Sequence, residues 1–91
     1  MELIAPKQLS TLSNPHRLAI FRLLVRRYPD EIPAGEIARI QELKSNTASV
    51  YLAALKEAGL VTQNRRGTSL LYRANLSSAE ALIQYLFEDC C

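Results

Sequence analysis

The sequence predicts a small, mainly helical domain with one two-stranded hairpin. Apolar residues recur at spacings of three and four in the first half of the chain and again near its end, which is typical of helices that face a core. Two short runs rich in apolar and branched residues flank Gly67, which is typical of a hairpin. With 91 residues, of which 48% are hydrophobic and 22% charged, the chain has the size and composition of one globular domain, residues 1–91.

The composition also excludes several classes of protein. No apolar run approaches the roughly 20 residues that span a bilayer. The first residues include an acidic side chain and lead into no long apolar core, unlike a secretory signal. Two adjacent cysteines at the end of the chain cannot form the disulfide framework of a secreted mini-protein. We therefore expect a cytoplasmic protein that has no membrane partner.

Three helices are predicted in the first half of the chain. The first is short and covers residues 6–12. Asn14 and Pro15 are typical of the N-cap and first residue of the second helix, which ends before a Tyr-Pro pair. A third short helix begins at Pro33. The apolar side of the second helix is predicted to comprise Leu18, Ile20, Phe21, Leu23, Leu24, Val25 and Tyr28.

The fourth helix is predicted to begin after an N-cap at Ser45 and to reach Ala58, with Gly59 in the left-handed position that follows a helix. Its buried side is predicted to comprise Ala48, Tyr51, Leu52 and Leu55. The opposite side comprises Asn46, Ser49, Val50, Ala53 and Glu57. A solvated helix usually carries more lysine and glutamate, so this side indicates a helix that approaches another surface closely.

The rest of the chain predicts two strands, over 60–66 and 70–74, and a last helix that opens with a capping box from Ser77 to Glu80. The last helix carries an apolar stripe of Ala79, Leu82, Ile83, Leu86, Phe87 and Cys90. Two helices joined by a tight turn and followed by a hairpin describe a winged helix-turn-helix, in the order α1-α2-α3-α4-β-β-α5.

Charge is distributed unevenly along this chain. Residues 44–73 hold five basic side chains and one acidic side chain, a net charge of +4. Residues 1–43 have a net charge of +1, and residues 74–91 have a net charge of −3. A basic stretch is often only a solvated face. Here the positive charge is confined to the predicted fourth helix and hairpin, which favours a polyanionic partner.

Four stretches resemble the ArsR/SmtB family of metalloregulatory repressors in their order and spacing. They are LSNPHRLAIFRLL at 12–24, AGEIA at 34–38, SNTASVYLAALKEAGLV at 45–61 and RRGTSLLYRA at 65–74. Together they cover nearly the whole chain. The resemblance implies a homodimer, built on the first and last helices, that binds double-stranded operator DNA as a repressor.

The physics of DNA recognition favours the same segment. The first half of a recognition helix enters the major groove, where Asn pairs with adenine and Val contacts the thymine methyl group. Other side chains bond phosphates, and hairpin arginines either contact the minor groove and its phosphates or serve solubility. The candidate DNA-binding residues are Lys44, Ser45, Asn46, Thr47, Ser49, Val50, Tyr51, Arg65 and Arg66.

The dimer prediction depends on the last helix, because the central helices already supply enough apolar side chains for one small core. A two-fold dimer also places two recognition helices in successive major grooves, about 34 Å apart. The residues expected near the interface are Leu3, Leu9, Leu82, Ile83, Leu86 and Phe87.

Cys90 and Cys91 are the candidate ligands of an inducer. Soft thiolates bind soft, thiophilic centres, and an As(III) site of this family resembles the Asp-Cys-Cys end of the chain. The inducer is expected to be arsenite, a methylated arsenical or antimonite. Arsenite favours three sulfurs, so the third would come from the other subunit, a longer tail or an added thiol. A methylated arsenical needs only two. No cofactor is required, and the single histidine, His16, cannot build a zinc site and is assigned a structural role or a phosphate contact.

The sequence contains no nucleophile–base pair and no Gly-rich phosphate loop, so we expect no enzyme. Two alternatives to an arsenic-responsive repressor remain. The first is a related repressor that has no metalloid ligand or senses oxidation through its cysteines. The second is a winged helix that contacts protein or RNA. Ligand-dependent release from DNA distinguishes the first alternative, and salt-sensitive binding to duplex DNA distinguishes the second.

Overall fold

The structure, a computed structural model, describes residues 3–90. Its helices are α1 (Ala5–Leu12), α2 (Pro15–Arg27), α3 (Ala34–Ile40), α4 (Ser45–Glu57) and α5 (Leu76–Phe87). Its strands are β1 (Ile32–Pro33), β2 (Val61–Arg66) and β3 (Ser69–Ala74). The predicted winged helix-turn-helix is therefore confirmed. None of the helices in the described range is long and apolar enough to cross a membrane.

The sheet has three antiparallel strands in the order β1-β3-β2. β2 and β3 pair over their whole length, from Val61 opposite Ala74 to Arg66 opposite Ser69. β1 was not predicted. Two residues are too few to show alternation, and a proline disfavours a strand except at an edge, which is where β1 lies.

The core lies between α2, α3, α4 and the inner side of the sheet. Its largest fully buried apolar side chains are Ile20, Leu24, Ile32, Ile37, Leu52, Leu55 and Leu60. The predicted apolar side of α2 is wrong at its edges, because Leu18, Val25 and Tyr28 are exposed. The buried side is centred on Ile20 and Leu24, which turns these three residues away from the core.

The N-termini of α2 and α4 are formed differently. As predicted, the Asn14 side chain caps α2 by accepting hydrogen bonds from the backbone N–H groups of His16 and Arg17, at 2.9 and 3.1 Å. The predicted cap of α4 is wrong, because Lys44 occupies the N-cap and Ser45 is the first helical residue. Lys44 makes no side-chain cap, and one of the first N–H groups of α4, that of Thr47, is bonded instead to the Asn46 side chain.

The junction before α5 also departs from the prediction. Asn75, and not Ser77, is the N-cap, since its Oδ1 accepts a hydrogen bond from the Ser78 N–H at 3.3 Å. Its Nδ2 donates to the Gly59 carbonyl at 3.1 Å. Gly59 has a φ of +77°, the left-handed conformation predicted for the residue after α4. Asn75 therefore joins the start of α5 to the turn that leaves α4.

Candidate nucleic-acid interface

α4 turns one side into the core and the other to solvent. Its buried residues are Ala48, Leu52 and Leu55. On the opposite side Asn46, Ser49 and Val50 are exposed, and Val50 shows 66% of its surface. Packing in the core therefore explains the choice of residues on the inner side of α4 but not on its outer side. The outer side is a low surface of small, exposed side chains.

The other predicted contact residues of α4 lie at its start and along one flank. Lys44 and Ser45 are exposed, whereas Thr47 and Tyr51 are half-buried. The Asn46 Oδ1 accepts a hydrogen bond from the Thr47 N–H at 2.9 Å. An amide oxygen can accept a second hydrogen bond, and within the described residues the Asn46 Nδ2 makes none.

We call the β2–β3 hairpin and its turn the wing. Gly67, in the turn, has a φ of +61°, a conformation that favours glycine. Arg65 and Arg66 precede it and are exposed. The Arg66 guanidinium lies 3.5 Å from a carboxylate oxygen of Glu31, whereas within residues 3–90 Arg65 has no ion-pair partner. Of the two arginines next to the turn of the wing, one is therefore paired with a carboxylate and the other is not.

A second basic group lies where α2 meets α4. The rings of His16 and Tyr51 stack with their centroids 5.6 Å apart and their planes 14° from parallel. The Arg17 guanidinium lies 5.9 Å from the centre of the Tyr51 ring, and its Nε donates to the Thr11 carbonyl at 2.7 Å. Sequence reasoning missed Arg17, because only the packing of α2 against α4 brings it to Tyr51.

α1 is tied to the end of α4 by two contacts that the sequence did not reveal. Gln8 is fully buried, and its Nε2 donates to the Ala58 carbonyl and to the Ser78 hydroxyl, both at 3.0 Å. The Lys7 ammonium donates to the Glu57 carboxylate at 2.9 Å and holds the pKa of that carboxyl below its usual value. α1 thus joins the last turn of α4 to the first turn of α5.

The predicted dimer residues separate into two groups. Ile83, Leu86 and Phe87 on α5 are exposed at 58%, 52% and 71%. Leu3, which precedes α1, and Leu9, which lies in α1, are exposed as well. Leu82, in contrast, is buried within its own subunit, because it faces the core and not solvent. Leu82 therefore holds α5 against its own subunit and has little exposed surface with which to contact a partner subunit.

Cys90 follows the end of α5, and its N–H donates to the Phe87 carbonyl at 2.9 Å. It is disulfide-bonded. Cys91 lies outside the described residues. Residues 3–90 contain no group of three or more His, Cys, Asp or Glu side chains that could hold a metal ion.

A family model described as a helix-turn-helix domain matches residues 12–64. The chain is 31% identical over 83 residues to the biofilm growth-associated repressor of Agrobacterium fabrum, which covers 91% of this chain and 68% of that protein. A homodimeric winged helix-turn-helix DNA-binding domain from Mycobacterium bovis, described as a possible ArsR-family regulator, has a TM-score of 0.74 and 31% identity. The match covers 96% of this chain and 81% of that one.

An ArsR-like transcriptional regulator from Rhodococcus shares the fold with a TM-score of 0.84 and 22% identity, over 96% of this chain and 79% of that one. The relatives are regulators and not enzymes, in agreement with the sequence. The chain therefore belongs to the helix-turn-helix family of transcriptional regulators, and its winged-helix fold is of the ArsR type.

Proposed function

We propose that the chain is a homodimeric repressor that binds operator DNA with α4 and the wing, and that releases it when a trivalent arsenical binds Cys90 and Cys91. The outward side of α4 is the observation that supports DNA binding most strongly. Val50 is exposed between small polar residues that can pair with base edges. The wing beside it adds the basic charge that phosphates attract.

Exposed apolar side chains on α5 support the dimer. A soluble monomer rarely leaves several large apolar residues together at its surface. Ile83, Leu86 and Phe87 lie within two turns of one helix and expose more than half of their surface. The related domain from Mycobacterium bovis is homodimeric. A two-fold dimer would present two α4 helices to successive major grooves, about 34 Å apart.

The wing can be tested by replacing Arg65 and Arg66 together with glutamine. We expect weaker binding to every duplex sequence and a salt dependence whose slope falls by up to about 2 for each subunit, or about 4 for the dimer, since each phosphate contact contributes about 0.9. Arg66 contributes the smaller part, because Glu31 already compensates it. Fluorescence anisotropy over a salt series measures both quantities.

A matched control replaces the exposed Arg22 and Arg26 of α2 with glutamine and removes the same charge away from the wing. This control should leave the slope near that of the wild type. A wing variant with an unchanged slope and an altered sequence preference would contradict the assignment.

Thiol chemistry supports the inducer proposal. Each reduced cysteine can replace one hydroxyl of arsenous acid and release one water, so two cysteines satisfy a methylated arsenical. Arsenite needs a third thiol, from the partner subunit or an added one. The proposal concerns the reduced chain, since Cys90 is disulfide-bonded in the structure. Cys90 follows the exposed turn of α5, so binding there would shift the dimer helices and the spacing of the two α4 helices.

The double replacement Cys90→Ser, Cys91→Ser is expected to bind DNA as the wild type does and to lose release by arsenicals. The thiols would lie at the end of α5, outside the proposed DNA contacts, which is why affinity should be unchanged. Operator binding is measured in a thiol-free buffer after reduction, with arsenite, methylarsenite and peroxide in separate titrations.

The three titrations distinguish the proposed arsenical response from the alternative functions. Release by methylarsenite from the wild type alone supports the proposal. Release by peroxide alone indicates that the cysteines sense oxidation. An equal response of the wild type and the double variant to arsenite places the inducer site elsewhere.

A further inference from the structure

We propose that His16, Arg17 and Tyr51 form a second phosphate-binding site, here called the α2 clamp, which holds the DNA backbone on the flank of α4 opposite the wing. The inference rests on the proposed DNA binding and deepens it. Of the three residues, Tyr51 was predicted to contact DNA and His16 was assigned either a structural role or a phosphate contact, whereas Arg17 was not predicted. The three belong to two helices that are brought together by packing.

The helical geometry of α4 gives the location. Tyr51 and Lys56 are five residues apart and therefore lie about 140° apart around the helix. The Lys56 ammonium donates to the Gln63 side chain of β2 at 3.1 Å, so that flank adjoins the wing. Tyr51, on the other flank, adjoins the start of α2. A helix in the major groove has one phosphate strand on each side. The wing and the α2 clamp would thus face one strand each.

Arg17 is held in a way that leaves its charge available. Its Nε is bonded to the Thr11 carbonyl, and its planar group lies near the face of Tyr51. The described arginines with carboxylate partners are Arg27 and Arg66, so within residues 3–90 no carboxylate neutralises Arg17. A guanidinium fixed by a carbonyl and a ring, and not by a counterion, keeps its terminal N–H groups for an external anion.

His16 and Tyr51 add further donors beside this charge. Within the described range, neither the His16 ring nitrogens nor the Tyr51 hydroxyl makes a hydrogen bond. The nearly parallel stack fixes both rings in place, at the edge of α4 that Thr47 shares one turn earlier. Three side chains with free donors therefore converge at one flank of α4, which is the arrangement that a phosphate group requires.

The test uses a fluorescent duplex of mixed sequence and about 30 base pairs, long enough for both half-sites. Phosphate contacts are independent of sequence, so no operator needs to be known. Arg17→Gln is expected to weaken binding about five- to tenfold and to lower the slope of log affinity against log salt by about 1 for each subunit, or about 2 for the dimer. Arg22→Gln, an exposed arginine of the same helix, is the matched control and should leave the slope unchanged.

Two further variants keep the test decisive. Arg17→Lys restores the charge, so the slope should return toward the wild-type value. Tyr51→Phe keeps the ring stack and removes only the hydroxyl, and we expect about a threefold loss of affinity. If Arg17→Gln fails to fold, Tyr51→Phe decides in its place.

If the Arg17→Gln variant folds and has the salt slope of the wild type, the α2 clamp is overturned. If that variant does not fold, an unchanged affinity of Tyr51→Phe overturns the α2 clamp. In both cases the proposed DNA binding stands. Failure of the wild type to bind any duplex would overturn both.

Discussion

Replacement of Leu86 by glutamate is expected to give a monomer that binds operator DNA at least about 100-fold more weakly. Leu86 exposes 52% of its surface in the isolated subunit, so the folded monomer tolerates the change. In the dimer a carboxylate at this position would be removed from water without a partner, which costs several kcal/mol. A monomer also lacks the second DNA-binding subunit, and two linked subunits bind DNA about 100-fold or more tightly than one.

Light scattering after gel filtration gives the mass of the variant, and anisotropy gives its affinity. Leu86→Met is the control, because it keeps an apolar side chain of similar volume and should remain dimeric. A dimeric Leu86→Glu variant would show that α5 does not form the interface.

Val50→Glu is expected to reduce affinity about 100-fold for both specific and unrelated duplexes, or about 2.7 kcal/mol. Val50 lies in the middle of the outward side of α4 and is 66% exposed. A carboxylate there would be brought between two phosphate strands and lose its hydration. The free energy of unfolding should change by less than about 0.5 kcal/mol, because the site is a surface position.

Val50→Gln is the matched control, since glutamine has the shape of glutamate without its charge. We expect it to retain affinity within about fivefold of the wild type. Equal losses in the two variants would indicate a steric effect. Unchanged binding by Val50→Glu would place α4 away from the DNA. Thermal unfolding confirms that each variant is folded.

Local signals in the sequence were sufficient for most of the fold. Asn14 and Pro15 marked the start of α2, because an N-cap side chain and a proline act within one helical turn. Gly59 marked the end of α4, because its positive φ is a property of one residue. The outward side of α4 could be predicted as well, since helical periodicity alone separates Val50 from Leu52.

Features that depend on packing between distant segments could not be predicted. β1 exists only because Ile32 and Pro33 meet β3. Gln8 is polar and yet fully buried, and its partners at Ala58 and Ser78 follow only from the position of α1. The α2 clamp likewise requires α2 and α4 to be packed together.

Selection from a random duplex library tests most directly whether a dimer reads DNA through the outward side of α4. We expect the wild type to enrich inverted half-sites whose centres lie about 10 base pairs, or a multiple of one turn, apart. Asn46→Ala should select sites of the same symmetry but lose the base preference at one position of each half-site. Its binding free energy for the site selected by the wild type should be weaker by about 1–3 kcal/mol. Enriched sites that have no inverted repeat, or an identical motif from Asn46→Ala, would contradict this account of α4.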